Sequence, residues 1–361
     1  MSGNVKLLGE ICEISTGSTD TKDATENGQY PLFDRSKKVK ASNKYLFDCE
    51  ALIMPGEGAE FLPRHYIGKF DLHQRAYAMF NFSDLVNPQY LYFYLVSVKD
   101  YFANNAVGAT VKSLRRRHFT DLEVPLPSLE KQREIVTKLG SAFTEIEKIR
   151  LNIFGQLNAN LSLLSNAIRN LINNPDVECR NTTLDNICEN LDNKRIPITR
   201  DVRASGDYPY YGASGIIDYV EDFIFEGDAL LVSEDGANLL ARSTPIAFSV
   251  SGKYWVNNHA HILKFVDKEL QKYVEYLLEN TKLDEFITGA AQPKLTQRAL
   301  NTIPIRIPVQ ESDIKEIVAV ISTLKELSFS VSDNLKLRLK LTDELQASLL
   351  GKYFTQEDAV A

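Results

Sequence analysis

The sequence predicts an α+β protein made of two copies of one globular domain, each followed by a long α-helix, with the two helices pairing. Three observations carry this. The 361-residue chain repeats its own segments about 180 positions apart. Each copy begins with short apolar runs separated by Gly, Pro, Asp and Asn, the pattern of a loop-rich sheet. Each copy then leads into a long stretch whose apolar residues recur at helical spacing.

The repeat is legible residue by residue. Leu8-Gly9-Glu10-Ile11-Cys12 returns as Leu184-Asp185-Asn186-Ile187-Cys188. Gly28-Gln29-Tyr30-Pro31-Leu32-Phe33 returns 178 residues on as Gly206-Asp207-Tyr208-Pro209-Tyr210-Tyr211. Gly108-Ala109 returns as Gly289-Ala290, and Ile135-Val136 returns 182 residues on as Ile317-Val318. Solenoid units run about 20–50 residues, so a period this long means two domains with their connectors. A duplicated and diverged domain suits a molecule that contacts two similar but non-identical things.

Within each copy the elements follow one order. Ala51–Met54 and Ala76–Phe80, with their counterparts 229–232 and 260–263, read as short strands. A helix is expected at 88–104 and again at 269–287. Leu122–Pro127 and Ile303–Pro308 read as closing strands, stopped by their prolines.

The long helices come next. From Leu129 to Ile172 the apolar positions are Ile135, Leu139, Ala142, Ile146, Ile149, Ile153, Leu157, Leu164, Ile168 and Leu171. From Gln310 to Phe354 they are Ile314, Ile317, Ile321, Leu324, Val331, Leu335, Leu345 and Leu349. Each helix would extend roughly 65 Å at about 1.5 Å per residue. Such a helix is unstable in water with one apolar stripe exposed, and the simplest partner for each is the other. The division is therefore residues 1–128 as a first domain, 129–174 as a first helix, 175–309 as a second domain, 310–354 as a second helix and 355–361 as a frayed tail.

Composition narrows the class. Hydrophobic residues make up 44% and charged residues 25%, the balance of a water-soluble globular protein. No apolar run approaches the roughly 18 residues of a membrane span. The start, Met1-Ser2-Gly3, does not read as a signal peptide. Cys12, Cys49, Cys179 and Cys188 form no CxxC pair and read as core thiols, which points to the cytoplasm. A net charge of −7 argues against a coat for nucleic acid but allows local basic faces.

No catalytic constellation is evident. Asn87-Pro88-Gln89-Tyr90 imitates a methyltransferase Asn-Pro-Pro-Tyr motif, but it reads better as a helix N-cap with Pro at the first helical position. Asp176 with Asp192-Asn193-Lys194 imitates a nuclease motif that the first copy lacks. His259 and His261 alternate on an expected strand, share a face and have no evident third metal ligand. Phosphate loops and nucleophile elbows are missing from the sequence. The chain reads as a binding protein, with no metal and no cofactor of its own.

The loops carry forked donors and acceptors of the kind that read base edges. In the first domain the candidates are Arg35, Lys37, Lys38, Arg64, Gln74, Arg75 and Lys112. In the second they are Lys194, Arg195, Asn238, Arg242, Asn258, His259 and Lys294. Tyr210, Tyr211, Tyr219 and Trp255 could stack or buttress. Residues that differ between the copies are the better candidates for specificity, and shared ones for the framework.

Several segments resemble a known family. They are Tyr208-Pro209-Tyr210-Tyr211-Gly212-Ala213-Ser214-Gly215, Val256-Asn257-Asn258-His259-Ala260-His261 and Gly289-Ala290-Ala291-Gln292-Pro293-Lys294-Leu295, with the domain exit Leu122-Glu123-Val124-Pro125-Leu126-Pro127 and the following Glu130-Lys131-Gln132-Arg133-Glu134-Ile135-Val136. In their order, occurring twice with a helix after each, they resemble the DNA-specificity subunit of type I restriction–modification systems. The first copy departs at Leu72-His73-Gln74-Arg75-Ala76, and the second has Glu311-Ser312-Asp313 at its helix start.

The resemblance implies a non-catalytic subunit with two target-recognition domains, each reading half of a split asymmetric site on double-stranded DNA. It implies helices that pair antiparallel, space the half-sites and dock two methyltransferase (modification) subunits, with restriction/translocase subunits joining. S-adenosylmethionine and ATP/Mg would belong to those partners. Two readings compete. One is a specificity module of another adenine-methylation or phage-defence assembly. The other is a structural coiled-coil adaptor whose two globular domains bind protein. A neighbouring methyltransferase gene separates the DNA readings from the adaptor.

Overall fold

The computed structural model describes residues 4–289 and 291–354. The expected tail at 355–361, the start Met1-Ser2-Gly3 and Ala290 lie outside the described residues. The chain divides into two compact units. One holds the chain up to Phe154 together with the segment from Lys336 onward, and the other holds Gly155–Leu335. Each unit therefore contains one globular domain and part of both long helices, a finer arrangement than a linear series of domain and helix.

In the first unit six strands form one sheet, in the order Glu13–Thr16, Ala76–Phe80, Phe47–Pro55, Arg64–Leu72, Tyr30–Phe33 and Lys40–Ser42. Pairing is antiparallel except where Tyr30–Phe33 runs parallel to Arg64–Leu72. In the second unit the equivalent strands fall into two four-stranded sheets. One orders Glu189–Asn190, Ala260–Lys264, Ala229–Ser233 and Ala247–Val250; the other orders Gly215–Val220, Ser205–Gly212, Lys253–Val256 and Phe225–Glu226.

The difference has a local cause. In the first unit Cys49 sits opposite Gly68 inside two unbroken nine-residue strands. Gly68 alone has a positive φ there, at +120°, whereas in the second unit Gly227 faces Gly252 and both do, at +102° and +83°. Two glycines at facing positions let both strands kink, and the Gly227 amide donates to the Gly252 carbonyl across the break at 2.8 Å.

Each domain closes with a strand that pairs back to the domain's start. Asn4–Leu7 pairs with Glu123–Leu126, and Cys179–Thr183 pairs with Pro304–Pro308. A buried tyrosine clamps each closing strand: Tyr90 Oη donates to the Pro125 carbonyl at 2.8 Å, and Tyr273 Oη to the Arg306 carbonyl at 3.0 Å. Asn87 is the N-cap ahead of Tyr90, its Oδ1 accepting from the Gln89 and Tyr90 amides, with Pro88 first in the helix.

The helix expected at 88–104 breaks at Val98 into Pro88–Ser97 and Lys99–Asn105. The one expected at 269–287 stops at Asn280. Its last carbonyls are taken by a side chain: Arg242 Nη1 donates to Leu278 O and Nη2 to Thr281 O, at 3.1 and 2.9 Å.

The long helices run Leu129–Ile172 and Glu311–Phe354. In the first unit Ile135, Leu139 and Leu350 are built into the domain core with Leu91, Phe102 and Phe119. Gln132, fully buried, ties the helix start to the domain: its amide donates to Leu85 O and Pro127 O and accepts from the Asn87 amide. In the second unit Ile168, Ile172, Ile314, Ile317 and Ile321 pack with Tyr273, Leu278 and Ile305.

In both units the helix segments meet antiparallel. In the first, Arg150 reaches Thr342 (3.2 Å), Asp343 (2.5 Å) and Gln346 (2.7 Å). In the second, Asn160 donates to Ser328 and Ser332 at 2.9–3.0 Å.

The apolar seam differs from the expected one at three places. Ile149, Val331 and Leu345 are exposed at 42%, 46% and 48%. In each case the next residue along, Arg150, Ser332 or Gln346, makes the more sheltered contact. One residue is about 100° around the helix, enough to separate an exposed Ile149 from an Arg150 that reaches the partner helix.

The cysteines are free thiols. Cys12 and Cys188 occupy equivalent places, donating to the Leu8 and Leu184 carbonyls, and burial pushes both thiols up to about 12. Cys49 and Cys179 are only half-buried. No described helix is long and apolar enough to cross a membrane.

Two stability predictions follow from these contacts. Tyr90→Phe and Tyr273→Phe each remove one hydrogen bond to a closing strand and should cost about 1 kcal/mol in urea unfolding; unchanged midpoints would show that the clamps are idle. Asp34, 4% exposed, is bound by Lys40 Nζ at 2.7 Å and by the Ser36 amide at 2.8 Å. Burial alone would raise its pKa, but Lys40 and Ser36 outweigh it and hold the carboxyl at about 2, below its ordinary 3.8. A depressed folded value gives stabilisation that is complete above the unfolded pKa and lost as pH falls through the folded one. Asp34→Asn should therefore lose about 2 kcal/mol at neutral pH, with the wild-type advantage fading between about pH 4 and 2.

Candidate nucleic-acid interface

Gln74, Arg75 and Lys112 in the first unit, and Asn258, His259 and Lys294 in the second, lie on the loops that meet the end of the central strand. In the first unit the Gly56 amide donates to Arg75 O at 2.8 Å, the Leu114 amide to Gly56 O at 2.8 Å, and the Gly58 amide to Lys112 O at 3.0 Å. In the second unit the Glu234 amide donates to His259 O at 2.9 Å, the Leu295 amide to Glu234 O at 2.8 Å, and the Gly236 amide to Pro293 O at 3.0 Å. The same three backbone bonds recur in the same order. The repeated Gly108 and Gly289 turn the adjoining loop at φ +127° and +86°, where a Cβ would stand 2.2 Å from Val111 O or 2.5 Å from Gln292 O.

On this lattice the first unit mounts Arg75, whose Nη1 bonds both Glu57 carboxylate oxygens at 2.9 and 3.0 Å. Arg35 Nη1 lies 3.9 Å from the same carboxylate. Gln74 Nε2 reaches Asp20 at 3.4 Å. Arg35, Gln74 and Arg75 line a cleft of about 510 Å³ with Asp20, Asp34, Glu57 and His73. Lys37 projects to the exposed Glu60 at 3.0 Å, and Lys38 and Lys112 are exposed. Arg64 is committed elsewhere: its Nη2 donates to the Ser36 and Lys37 carbonyls and so shapes the loop that carries Lys37 and Lys38.

In the second unit His259 Nδ1 lies 2.8 Å from Asp235, with half of the histidine side chain exposed. Asn258 beside it is exposed. Lys294 Nζ sits 3.1 Å from Glu234, and Lys194 Nζ 3.5 Å from Glu189. Three other candidates serve the fold in this conformation. Arg195 is sheltered, donating to Glu234 at 2.6 Å and to Ala260 O at 2.8 Å. Asn238 ties its own loop, accepting from the Thr244 amide and donating to the Thr244 carbonyl. Arg242 caps the helix Lys268–Asn280. These two arginines spend their forks on internal acceptors because a guanidinium taken out of water must be bonded throughout.

His259 and His261 do not act together. His261 is fully buried, its Nδ1 2.5 Å from Asp192 and its Nε2 2.8 Å from the Leu295 carbonyl. Asp192, Glu234 and His261 bring potential ligand atoms within 4.8 Å of one another. The cation positions beside these carboxylates are held by Arg195 and Lys294, so the group fits an ion-pair network better than a metal centre. Burial would raise both carboxyls, yet the bond from His261 lowers Asp192 and the bond from Arg195 lowers Glu234.

Two of the aromatics buttress loops, while Tyr219 is 49% exposed. Trp255 Nε1 donates to Ile196 O at 2.6 Å, and Tyr210, buried, holds the Ile198 amide through its hydroxyl at 3.1 Å. Sequence reasoning passed over Asp20 and His73 of the cleft and Asp192 as the partner of His261. The first two lie in loops that meet only in the folded domain, and Asp192 and His261 are 69 residues apart.

The sequence signature of the type I restriction modification DNA specificity domain matches residues 4–153 and again 176–341. Over 161 residues the chain is 35% identical to a putative type I restriction enzyme specificity subunit of Haemophilus influenzae, a stretch covering 45% of this chain and 40% of that protein. Over 146 residues it is 32% identical to the EcoDI specificity subunit of Escherichia coli, covering 40% of this chain and 32% of that protein. These alignments span less than half the length of either relative. A chain solved in a study of complex assembly and conformational transition of the type I R-M system superposes with a TM-score of 0.72, covering 99% of this chain and 98% of that one at 14% identity, which shows a shared fold. Two domain matches, on a chain whose two units repeat one backbone lattice, place this protein in the type I restriction modification DNA specificity domain family.

Proposed function

We propose that this chain is the non-catalytic DNA-specificity subunit of a type I restriction–modification complex. Each unit reads one half of a bipartite, asymmetric site on double-stranded DNA, and the chain directs two methyltransferase subunits, and a restriction translocase, to that site. The observation that supports this best is the repeated lattice at the head of each central strand. It holds the backbone alike in both units and presents Arg75 and Gln74 in one, and His259 and Asn258 in the other. A conserved mount with changed side chains is what two different half-sites require. S-adenosylmethionine belongs in this reading to the methyltransferase and ATP/Mg to the translocase, and the complex works in the cytoplasm.

The long helices supply partner surface and spacing. Leu151 and Phe154 of the first are exposed at 63% and 52%, and Leu327 and Phe329 of the second at 59% and 67%. Large apolar side chains left in water along a helix suit helices or hydrophobic faces of partner subunits.

Domain exchange tests the reading. Residues 1–127 replaced by the equivalent domain of a relative, expressed with the cognate methyltransferase, should change one half of the methylated motif in methylation-sensitive sequencing. Change in both halves, or no sequence preference at all, contradicts it. A second test concerns spacing. Four residues added between Gly155 and Leu164 lengthen the first helix by about 6 Å, slightly more than one turn. Both half-sites should persist while the spacer grows by one or two base pairs of about 3.4 Å. Altered half-sites with an unaltered spacer would remove the helices from that role.

A further inference from the structure

We infer that Arg75 and His259 are the same reading position in the two half-sites, each aimed by the carboxylate beside it, and that Arg75 selects a guanine. This deepens the DNA-reading function proposed above and rests on it. The equivalence is set by backbone rather than by sequence similarity. The Arg75 carbonyl accepts from the Gly56 amide and the His259 carbonyl from the Glu234 amide, in the same place of the same three-bond lattice. Isolated bridges pair Glu57 with Ser113 and Asp235 with Lys294, so the two carboxylates are equivalent as well.

At both places the carboxylate is the sheltered member and the nitrogen-bearing side chain the exposed one. Glu57 is 14% exposed under an Arg75 that is 61% exposed, and Asp235 is 31% exposed under a His259 that is 51% exposed. A surface ion pair of this kind adds little stability, but it fixes the direction of a side chain that would otherwise sweep many rotamers.

The chemistry of the outward edge follows. Nη1 of Arg75 makes both bonds to Glu57, and the Nε–Nη2 edge has no protein partner among the described residues. Two parallel donors on a rigid fork match the O6 and N7 acceptors that guanine presents in the major groove. His259 is held through Nδ1 and turns only Nε2 outward. One nitrogen makes one contact, so the second position should discriminate less sharply than the first. Lys at position 75 would keep the charge and lose the fork.

The test uses the full chain in complex with its methyltransferase. Duplexes carrying each base at every position of the methylated motif compete for binding at two salt concentrations, and urea unfolding of each variant checks the fold. Wild type should prefer guanine at one position of the first unit's half-site by roughly 10- to 100-fold. Arg75→Ala and Arg75→Lys should both flatten that preference and leave the other half-site intact. Glu57→Gln, which retains the arginine, should weaken it at the same base. His259→Ala should flatten one position of the other half, at the same step from the methylated base.

Retained guanine preference in Arg75→Ala overturns the inference. So does equal weakening on every duplex with a shallower salt dependence, which marks a phosphate contact, or restoration of the preference by Arg75→Lys. Sensitive positions at unrelated steps in the two halves overturn the equivalence. A wild-type complex with no motif preference fails the broader function instead, and the two failures are distinct.

Discussion

The structure depends on the satisfaction of the backbone at the head of the central strand. Residue 56 in one unit and residue 234 in the other are each pinned through amide and carbonyl to two separate loops. Such groups must be bonded when they leave water, so the three segments cannot shift independently. The bonds involve no side chain. A glycine serves at one of the two positions and a glutamate at the other, and the loops still meet in the same order. A mount made of backbone lets the exposed residues of those loops change without loss of the fold, which is the condition for a recognition domain that diverges with its target.

What the second copy adds on this mount is a sheltered charge network. Glu234 fills the place of Gly56 and draws in Arg195 and Lys294, while His261 joins Asp192. The first unit instead places Arg35 and Arg75 around Glu57 at the edge of an open cleft. The same lattice thus supports one unit whose cations face outward and another in which an arginine is largely withdrawn. The facing glycines Gly227 and Gly252 make the parallel change in the sheet, breaking two strands that run unbroken in the first unit.

The helices follow a similar division between a fixed requirement and variable detail. Their ends are held because isoleucines and leucines there complete the domain cores. Along their middle stretches polar contacts join the buried Ile146, Ile153 and Leu335, with Arg150 bonding Thr342, Asp343 and Gln346 in one unit and Asn160 bonding Ser328 and Ser332 in the other. Polar groups in a helix interface tolerate few alternative pairings, so they favour one register at some cost in stability.

The sequence alone determined the duplication, the α+β class, the long helices to within two residues of their observed ends, and the N-cap at Asn87. These are properties of local pattern: periodicity, proline and glycine placement, and internal similarity survive in one dimension. It also pointed to the loops that converge, because Arg75 and His259 lie in segments that differ between otherwise matched copies. Tertiary structure alone decided which of the charged loop residues face water. Arg195 and Arg242 look no different in sequence from Arg35, yet their guanidiniums are spent on Glu234 and on the carbonyls of Leu278 and Thr281. The same holds for Ile149, Val331 and Leu345, where a turn of about 100° separates an exposed residue from a half-buried one. Burial and partnership depend on which distant segments meet, as Asp192 and His261 do, and spacing along the chain carries no record of that.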